Sequence, residues 1–373
     1  MQERKSDFWC VVSKRIVESS SSEALTFIHT DASRLTYSLL RALHVNRVKL
    51  NTFYEPLIAN FHTEEYIRAL KEEKPCTFFR EDSQPFPGIY EYARLIVDGT
   101  CTAADMLIDG VDMGYPAPVT LFWQGGRHHA HADLAHGYCW LNDVVIGINR
   151  LQERFPRVLY VDTDFHHGDG VQAAFYNDPT VTTVSFHAFG DVFPFSGSET
   201  ERGEGPGLGH CINVPIPSTV RLSDREFELL SMPVLEYAFE IANPDVVVYT
   251  VGADTVLGDP LTRGYNTTTR AICNVVQYLL SRGKPLLLLG GGGYEPTSVA
   301  KMAGAVAETV SLGMVPDNDA TLPVTDRNLD KYRPHVQLHT QRVYDDGEGY
   351  RNKRVKKVEE ILRQTLPEKA RKM

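Results

Sequence analysis

The sequence predicts an α/β protein in which a mostly parallel β-sheet is covered by helices on both faces. Short apolar runs rich in β-branched residues have the length of strands buried on both faces, and they occur at residues 117–123, 157–162, 181–186, 245–251 and 285–289. Stretches with helical spacing are found at residues 88–110, 142–154, 224–242, 267–282 and 297–312. Strands that alternate with helices in this way are typical of a parallel sheet, since the connecting helices pack back onto its faces.

The length of the chain, 373 residues, allows two or three domains, although large α/β folds often form one unit of this size. No internal repeat and no low-complexity linker divides the chain. We therefore predict one domain over residues 1–373, with a core at about 8–366 and a short basic segment at 351–373. Apolar residues make up 42% and charged residues 23%, a composition that excludes a disordered or collagen-like chain.

Charge and cysteine usage limit the partners and the compartment. Lys and Arg number 38 against 48 Asp and Glu, so the net charge of −10 opposes direct binding to nucleic-acid phosphates and attracts a basic substrate. The six cysteines are scattered without a CxxC pair, which favours a reducing compartment over a disulfide framework. Residues 1–7 lack the apolar segment of a signal peptide, and no run approaches the ~18 apolar residues of a membrane helix. We expect a soluble intracellular protein without membrane association.

The last segment combines basic residues with an apolar period. Its basic residues are Arg351, Lys353, Arg354, Lys356 and Lys357, and its apolar positions are Val358, Ile361, Leu362 and Leu366. Two interpretations remain open: an amphipathic helix that packs on the core, or a patch for nuclear import.

Polar residues follow four of the predicted strands, where the reactive groups of a parallel sheet gather. The four segments are Gly125-Gly126-Arg127-His128-His129, residues 162–170, Gly252-Ala253-Asp254-Thr255, and Gly290-Gly291-Gly292-Gly293-Tyr294. Taken singly, each motif is weak, and the glycine run matches neither GxxxxGK[ST] nor GxGxxG, so nucleotide binding is disfavoured. One hydrolytic site explains all four together.

The carboxylates and one histidine of these segments predict a metal centre. Asp164 and His166 are two residues apart, a spacing that puts both side chains on one side of an extended segment, and Asp254 follows a different strand. Two carboxylates and one imidazole leave a coordination position open, as in catalytic zinc or ferrous sites. An open position would let water and a substrate carbonyl bind together.

The remaining polar residues predict acid–base chemistry. His129 is our candidate for the group that takes a proton from water and gives one to a leaving amine. We expect Asp162 to pair with His128 and Asp169 to pair with His129, which would fix the imidazole tautomers. Tyr294 can donate its hydroxyl to the oxyanion that forms opposite the metal.

With these residues in place, the chain resembles the zinc-dependent histone deacetylases, and the class I branch most closely. The resemblance runs from about residue 8 to 366 and includes the segments Phe61-His62-Thr63-Glu64-Glu65-Tyr66, Gly137-Tyr138-Cys139-Trp140-Leu141-Asn142-Asp143, Asn213-Val214-Pro215 and Gly258-Asp259-Pro260. It implies the arginase/deacetylase fold, which is one domain with a central eight-stranded parallel sheet and a narrow tube leading to zinc. It also implies that Asp164, His166 and Asp254 bind zinc and that His128, His129 and Tyr294 are catalytic.

The resemblance implies further site residues. By similarity, Asp82 at the rim orients the substrate, Gly137, Tyr138 and Phe193 belong to the tunnel, and Leu261 lies at its mouth. Tyr138 stands where relatives usually have phenylalanine, and Arg127 and His136 occupy positions that are commonly apolar or small. Arg34 matches an arginine near a product-release cavity. Potassium sites are implied at two sets of residues: Asp162, Asp164, His166, Ser185 and Phe186, and Phe175, Asp178 and Val181.

The resemblance also implies a function, which is hydrolysis of acetyl-lysine or another acyl-lysine on histone and other protein tails. It implies a chromatin regulator in the nucleus or cytoplasm, with the nucleus favoured by the basic segment. Pro260 and Thr297 stand where relatives bind an inositol phosphate through two arginines, so we do not expect a corepressor partner bridged by that anion. Two alternatives remain: a deacetylase of acetylated polyamines, and a weakly catalytic scaffold that binds acyl-lysine.

Overall fold

A single all-parallel β-sheet of eight strands runs through the protein in the order β2-β1-β3-β8-β7-β4-β5-β6. The computed structural model describes residues 7–19, 31–43, 45–52, 54–340, 347–368 and 370. The strands are β1 (Phe8–Val12), β2 (Asn46–Lys49), β3 (Val119–Phe122), β4 (Val158–Asp162), β5 (Val181–Phe189), β6 (Cys211–Pro217), β7 (Val246–Thr250) and β8 (Leu286–Leu289). The structure thus confirms the predicted α/β class and the eight-stranded parallel sheet of the arginase/deacetylase fold.

Helices cover both faces of the sheet. Those among the described residues are α1 (Lys14–Ser19), α2 (Asp31–Ala42), α3 (Glu55–Ile58), α4 (Glu64–Glu72), α5 (Ile89–Asp112), α6 (Asp143–Gln152), α7 (Asp169–Phe175), α8 (Asp224–Ala242), α9 (Thr269–Ser281), α10 (Pro296–Leu312) and α11 (Gly347–Thr365). Helices α2, α8, α9, α10 and α11 enclose one apolar cluster, and α1 and α3–α7 enclose the other.

The central strands are apolar on both faces because each face meets a layer of helices. In β8, Leu286 and Leu288 enter the cluster beneath α8–α10, whereas Leu287 and Leu289 enter the cluster beneath α5 and α6. This alternation follows from the two-residue period of a strand. All four leucines are buried, which explains why an unbroken apolar run predicted this strand.

The five strands predicted from apolar runs are β3, β4, β5, β7 and β8, and the structure confirms each of them. Three strands had not been identified individually. Strand β2 reads Asn-Arg-Val-Lys and is mostly exposed at one edge of the sheet, so it carries no apolar run. Strand β6 forms the other edge and contains Pro215 and Pro217, which an edge strand tolerates because one side needs no partner.

The strand order brings the polar segments together. Strands β3, β8, β7 and β4 are consecutive neighbours in the sheet, and all run in the same direction. The segments that follow them are the four polar segments of the sequence, so their side chains meet along one edge of the sheet. These strands are far apart in the chain, and the site therefore exists only in the folded molecule.

The structure bears on the predictions about cysteine pairing and membrane helices. All six cysteines are free thiols, five of them buried, and only Cys76 is exposed. None of the described helices is both long enough and apolar enough to cross a membrane. The expectation drawn from residues 1–7 falls almost wholly on residues 1–6, which lie outside the described residues.

The basic C-terminal segment forms α11, which packs against α8 and β6. Val358, Ile361 and Leu366 are buried, and Arg354 donates to Glu226 over 2.9 Å. Glu226 also accepts from the Ser223 backbone N–H at the start of α8, so Arg354 joins α11 to that helix terminus. The structure supports the packed amphipathic helix, and the nuclear-import interpretation stays a prediction.

Replacing Ile361 with alanine should lower the free energy of unfolding by about 2–5 kcal/mol, because it opens a cavity in the core. The side chain of Ile361 is 1% exposed. Glu359→Ala on the exposed side of the same helix is the matched control and should change stability little. Urea denaturation followed by circular dichroism measures both, and equal effects would contradict the packing of α11.

Candidate metal and hydrolytic centre

Asp164, His166 and Asp254 converge at the ends of β4 and β7. Each offers one ligand atom, and the three atoms lie within 4.8 Å of one another. His166 Nδ1 is 3.3 Å from Asp164 Oδ1 and 3.2 Å from Asp254 Oδ2. All three side chains are buried. The structure therefore brings together the three residues from which the sequence predicts a metal centre.

The residues present fit a divalent metal ion. Asp254 Oδ2 is buried and accepts no hydrogen bond from any described residue, although Asp254 Oδ1 accepts from the Phe165 backbone N–H. Burial and the negative charge of Asp164 raise the pKa of Asp254 to about 7. Two buried carboxylates this close repel each other, and a divalent cation would neutralise them. A carboxylate oxygen that has no hydrogen-bond partner and lies beside an imidazole nitrogen is a suitable donor for zinc or ferrous iron.

The glycine run after β8 closes the back of this trio. The Gly292 backbone N–H donates to Asp164 Oδ2 over 2.6 Å. A Cβ atom at Gly292 would lie only 2.7 Å from Asp254 Oδ2 and 2.9 Å from Asp164 Oδ2. Glycine is therefore required for the backbone to approach both carboxylates.

The two histidines after β3 have separate carboxylate partners. His128 Nδ1 lies 2.7 Å from Asp162 Oδ2, and His129 Nδ1 lies 2.7 Å from Asp169 Oδ1. Both pairings are those that we expect from the sequence. The imidazole rings are 4.0 Å apart between centroids, so the charge on one acts directly on the other.

These partners give the histidines opposite electrostatic character. Burial disfavours the charged form of His128, but the charges of Asp162 and Asp164 outweigh it and raise the pKa of His128 to about 9. Burial and the charge of His128 lower the pKa of His129 to about 3, in spite of the hydrogen bond to Asp169. His128 is therefore the cationic member of the pair and His129 the neutral one, which suits His129 to accept a proton.

Tyr294 follows the glycine run after β8, and its backbone is fixed by Asp259. The Tyr294 N–H donates to Asp259 Oδ2 over 2.8 Å, and the Leu261 N–H donates to Asp259 Oδ1 over 3.0 Å. Burial and the charges of Asp254 and Asp164 hold the pKa of the Tyr294 hydroxyl well above its ordinary value. The phenol therefore remains a hydrogen-bond donor at neutral pH.

A narrow cavity joins these groups. Its wall contains His128, His129, Asp164, His166 and Tyr294, together with Gly126, Arg127, Gly137, Tyr138, Cys139 and Gly291–Gly293. Five predicted catalytic and metal-binding residues thus face one space. A Cβ atom at Gly137 would come within 2.4 Å of His129 Cδ2, so a glycine is needed at this point of the wall.

The predicted substrate-binding residues occupy different positions. Gly137 and Tyr138 line the cavity, whereas Phe193 packs its ring edge against His129 at 4.9 Å between centroids. Leu261 is 51% exposed on the loop that Asp259 ties to Tyr294. Asp82 Oδ2 accepts from the Gly137 backbone N–H over 2.9 Å, so Asp82 supports the cavity wall. A direct contact of Asp82 with substrate stays a prediction.

Two arginines differ in their relation to the cavity. Arg34 lies on α2, where its guanidinium pairs with Asp31 over 3.3 Å and the side chain is largely exposed. It borders a separate surface cavity and lines neither the catalytic cavity nor the small pocket that Arg127 also borders, and its predicted match to an arginine near product release stays a prediction. Arg127 is half-buried and borders both of these spaces.

The residues predicted for monovalent cations are also close in space. Asp162 and Ser185 are directly opposite each other in the pairing of β4 with β5. Phe186 follows Ser185 on β5, and Asp164 and His166 follow Asp162 in the loop after β4. Phe175, Asp178 and Val181 lie on the turn from α7 into β5, where the Asp178 N–H donates to the Phe175 carbonyl. The identity of any ion there stays a prediction.

Two supporting residues received no role from the sequence. Asp143 accepts from the backbone N–H groups of Gly126 and Arg127 over 3.0 and 2.7 Å, which fixes the chain immediately before the two histidines. Asp259 fixes Tyr294 as described above. In the sequence, Asp143 is an acidic residue at the start of a predicted helix, and Asp259 is a polar residue between Gly258 and Pro260. Neither pattern indicates which group the carboxylate contacts.

Comparison with known proteins agrees with this geometry. A sequence profile of the histone deacetylase domain matches residues 26–310. The chain is 38% identical over 276 residues to histone deacetylase 8 of Xenopus tropicalis, covering 71% of this chain and 72% of that protein. It is 34% identical over 345 residues to histone deacetylase 6 of Arabidopsis thaliana, covering 89% and 69%. It is 36% identical over 278 residues to histone deacetylase RPD3 of Saccharomyces cerevisiae, covering 72% and 62%.

Asp254→Asn should abolish binding of the first, most tightly held equivalent of metal. The substitution keeps the shape of the side chain but removes an anionic ligand. Titration with zinc in the presence of a chromophoric chelator measures this equivalent. Asp319→Asn, at an exposed position, is the control and should bind as the unaltered protein does. A tight equivalent that survives in the Asp254 variant would remove Asp254 from the metal centre.

Proposed function

Since this chain belongs to the class I-like histone deacetylase family and is a deacetylase hydrolase, we propose that it removes acetyl groups from lysine side chains of protein tails, histones included, with zinc as its metal. The observation that carries this proposal is the single cavity that joins Asp164, His166 and Tyr294 to the His128–His129 pair. Two of the three candidate metal ligands, a proton acceptor and an oxyanion donor line one space, and these are the parts that amide hydrolysis requires.

The metal trio and the neutral histidine have complementary roles. A divalent ion at the trio would act as a Lewis acid and lower the pKa of a bound water toward ~7. His129 accepts the proton of the attacking water at Nε2, because its Nδ1–H is held by Asp169. His129 then returns that proton to the departing lysine amine. Since the adjacent His128 is cationic, it stabilises the negative charge that develops on the substrate oxygen.

Tyr294 and Asp259 together support the developing oxyanion. Tyr294 donates its hydroxyl hydrogen to that oxygen, and Asp259 holds the Tyr294 backbone in place. A donor fixed in advance needs no reorganisation as charge forms, which is why such groups contribute strongly to catalysis.

Several features support a lysine-containing substrate. The cavity between Gly137, Tyr138 and the Tyr294 wall is narrow, which suits an unbranched aliphatic stem. The rings of Tyr138 and Tyr294 are 6.3 Å apart between centroids. The chain carries a net charge of −10, which attracts a basic tail from solution. Arg127, in the wall of the cavity, provides a cation that complements the acetate product.

We further propose potassium at the two predicted monovalent sites and residence in the nucleus. The nuclear assignment rests on α11, where Arg351, Lys353 and Lys356 are exposed. We also propose that the enzyme acts without an inositol-phosphate bridge. Thr297 stands at one of the two positions where relatives have an arginine, and its hydroxyl donates to Glu295 within the N-cap of α10.

Tyr294→Phe should lower kcat by about 100–1,000-fold, or about 2.7–4 kcal/mol of barrier, since it removes one oxyanion donor. Metal content should not change, because the Tyr294 hydroxyl is not part of the trio. Tyr350→Phe, on exposed α11, is the matched control. Steady-state kinetics with an acetyl-lysine peptide measures kcat, and turnover equal to that of the unaltered protein would remove Tyr294 from the reaction.

Turnover is compared among acetyl-, trifluoroacetyl- and longer acyl-lysine peptides and acetylspermidine. We expect hydrolysis of the acetyl-lysine peptide, and this hydrolysis should stop when a chelator is added and return with zinc. Release of free amine measures turnover. Preference for acetylspermidine would instead assign a polyamine deacetylase, and tight binding of acylated peptide without hydrolysis would assign a scaffold. Hydrolysis that is unaffected by chelation would contradict the metal-dependent reaction.

A further inference from the structure

A second group of metal-ligating side chains lies beside the catalytic histidines but outside the trio. His131, His136 and Asp169 each offer one ligand atom, and these atoms lie within 4.8 Å of one another. Among the described residues, only this group and the catalytic trio bring three histidine, cysteine or acidic ligands so close together. We propose that His131, His136 and Asp169 form a second site for a divalent metal of the zinc type, whose occupancy lowers turnover.

The distances within this group suit a shared ion. His131 Nε2 and His136 Nε2 lie 3.0 and 3.1 Å from the same oxygen, Asp169 Oδ2. Ligand atoms on a tetrahedral zinc ion, each about 2.0–2.2 Å from the metal, are about 3.3–3.6 Å apart. A shift of a few tenths of an ångström would therefore open the group enough for an ion.

His136 supplies a nitrogen that the rest of the protein leaves unused. Its Nε2 is buried and makes no well-oriented hydrogen bond to any described residue, in spite of its closeness to Asp169. A buried polar atom without a partner is unfavourable, and coordination of a metal would satisfy it. The ring of His136 is held against Phe193 at 5.3 Å and against His131 at 5.2 Å between centroids.

The backbone holds the two histidines in position. The His131 N–H donates to the Leu134 carbonyl over 2.9 Å, which forms a tight turn between them. The Ala135 N–H donates to the Phe78 carbonyl, and the Arg80 N–H donates to the Ala135 carbonyl, so this turn is anchored to a second segment. A binding site formed in advance loses less entropy when the metal binds.

The proposed site opens to solvent by its own route. His131 and Asp169 border a surface cleft of about 450 Å³, and no residue that lines this cleft also lines the catalytic cavity. The His131 side chain is 29% exposed. Three protein ligands leave a fourth position for water, and because this group is less buried than the catalytic trio, its ion should exchange more readily.

Asp169 connects this site to the reaction. Its Oδ2 faces His131 and His136, whereas its Oδ1 holds His129 at 2.7 Å. An ion at Oδ2 would draw the carboxylate charge away from His129, which Asp169 orients for proton transfer. The regulatory half of the proposal therefore rests on the proposed function, but the binding half does not.

Metal stoichiometry tests the binding half. Full-length protein stripped of metal is dialysed against buffered free Zn²⁺ and analysed for zinc and protein. We expect two equivalents for the unaltered protein and one for the variant with His131→Gln and His136→Gln, whose amides can still reach Asp169. Asp254→Asn should keep the weaker equivalent, and the exposed control His335→Gln should keep both.

Cobalt titration identifies the ligands independently of folding yield. The second equivalent of Co²⁺ should add visible d–d absorption in the unaltered protein and in His335→Gln, but not in the double variant. Thermal unfolding of each apo protein shows whether the double variant is folded. One equivalent in the unaltered protein, or two in a folded double variant, would overturn the site.

Turnover tests the regulatory half. Zinc added beyond the first equivalent should lower kcat for an acetyl-lysine peptide severalfold in the unaltered protein, with KM little changed. The same addition should leave the turnover of the double variant at its own starting value. Two bound equivalents without this loss of kcat would overturn the regulation. If no protein hydrolyses the peptide, the proposed function fails, whereas the stoichiometry still decides the site.

Discussion

The structure depends on the close approach of two buried carboxylates, Asp164 and Asp254, at the ends of neighbouring strands β4 and β7. Burial and repulsion by Asp164 raise the pKa of Asp254, and its Oδ2 accepts no hydrogen bond from the described residues. Among the described residues, His166 contacts Asp254, the Gly292 N–H donates to Asp164, and the trio itself contains no arginine or lysine. The cationic His128 lies 3.8 Å from Asp164, and a divalent cation would neutralise both carboxylates at once, which is why we regard the trio as built for a metal ion.

Electrostatics also differentiate two histidines that are adjacent in the chain. His128 faces Asp162 and lies 3.8 Å from Asp164, whereas His129 faces Asp169 and the ring of His128. The first imidazole is therefore surrounded by negative charge, and the second adjoins a positive one. Their different surroundings come from one other segment of the chain, residues 162–170, which supplies all three carboxylates.

The turn from His131 to His136 joins the catalytic wall to the surface. Its anchoring places two further imidazoles on Asp169, the carboxylate that orients His129. A carboxylate shared by three histidines cannot change its coordination on one side without affecting the other. The same turn leads to Gly137 and Tyr138 in the cavity wall, so substrate contact and the proposed regulation depend on one short segment.

The sequence by itself determined the class of the fold and most of the chemistry of the site. Central strands such as β8 were recognisable because burial on both faces requires an unbroken apolar run, and Asp164-Phe165-His166 was recognisable because its ligands are two residues apart. Edge strands β2 and β6 escaped because one free edge permits charged residues and prolines. Only the tertiary structure decided which distant groups meet: Asp254 with Asp164, Asp259 with Tyr294, and His136 with Asp169. These contacts depend on strand order and side-chain direction, which local spacing does not encode.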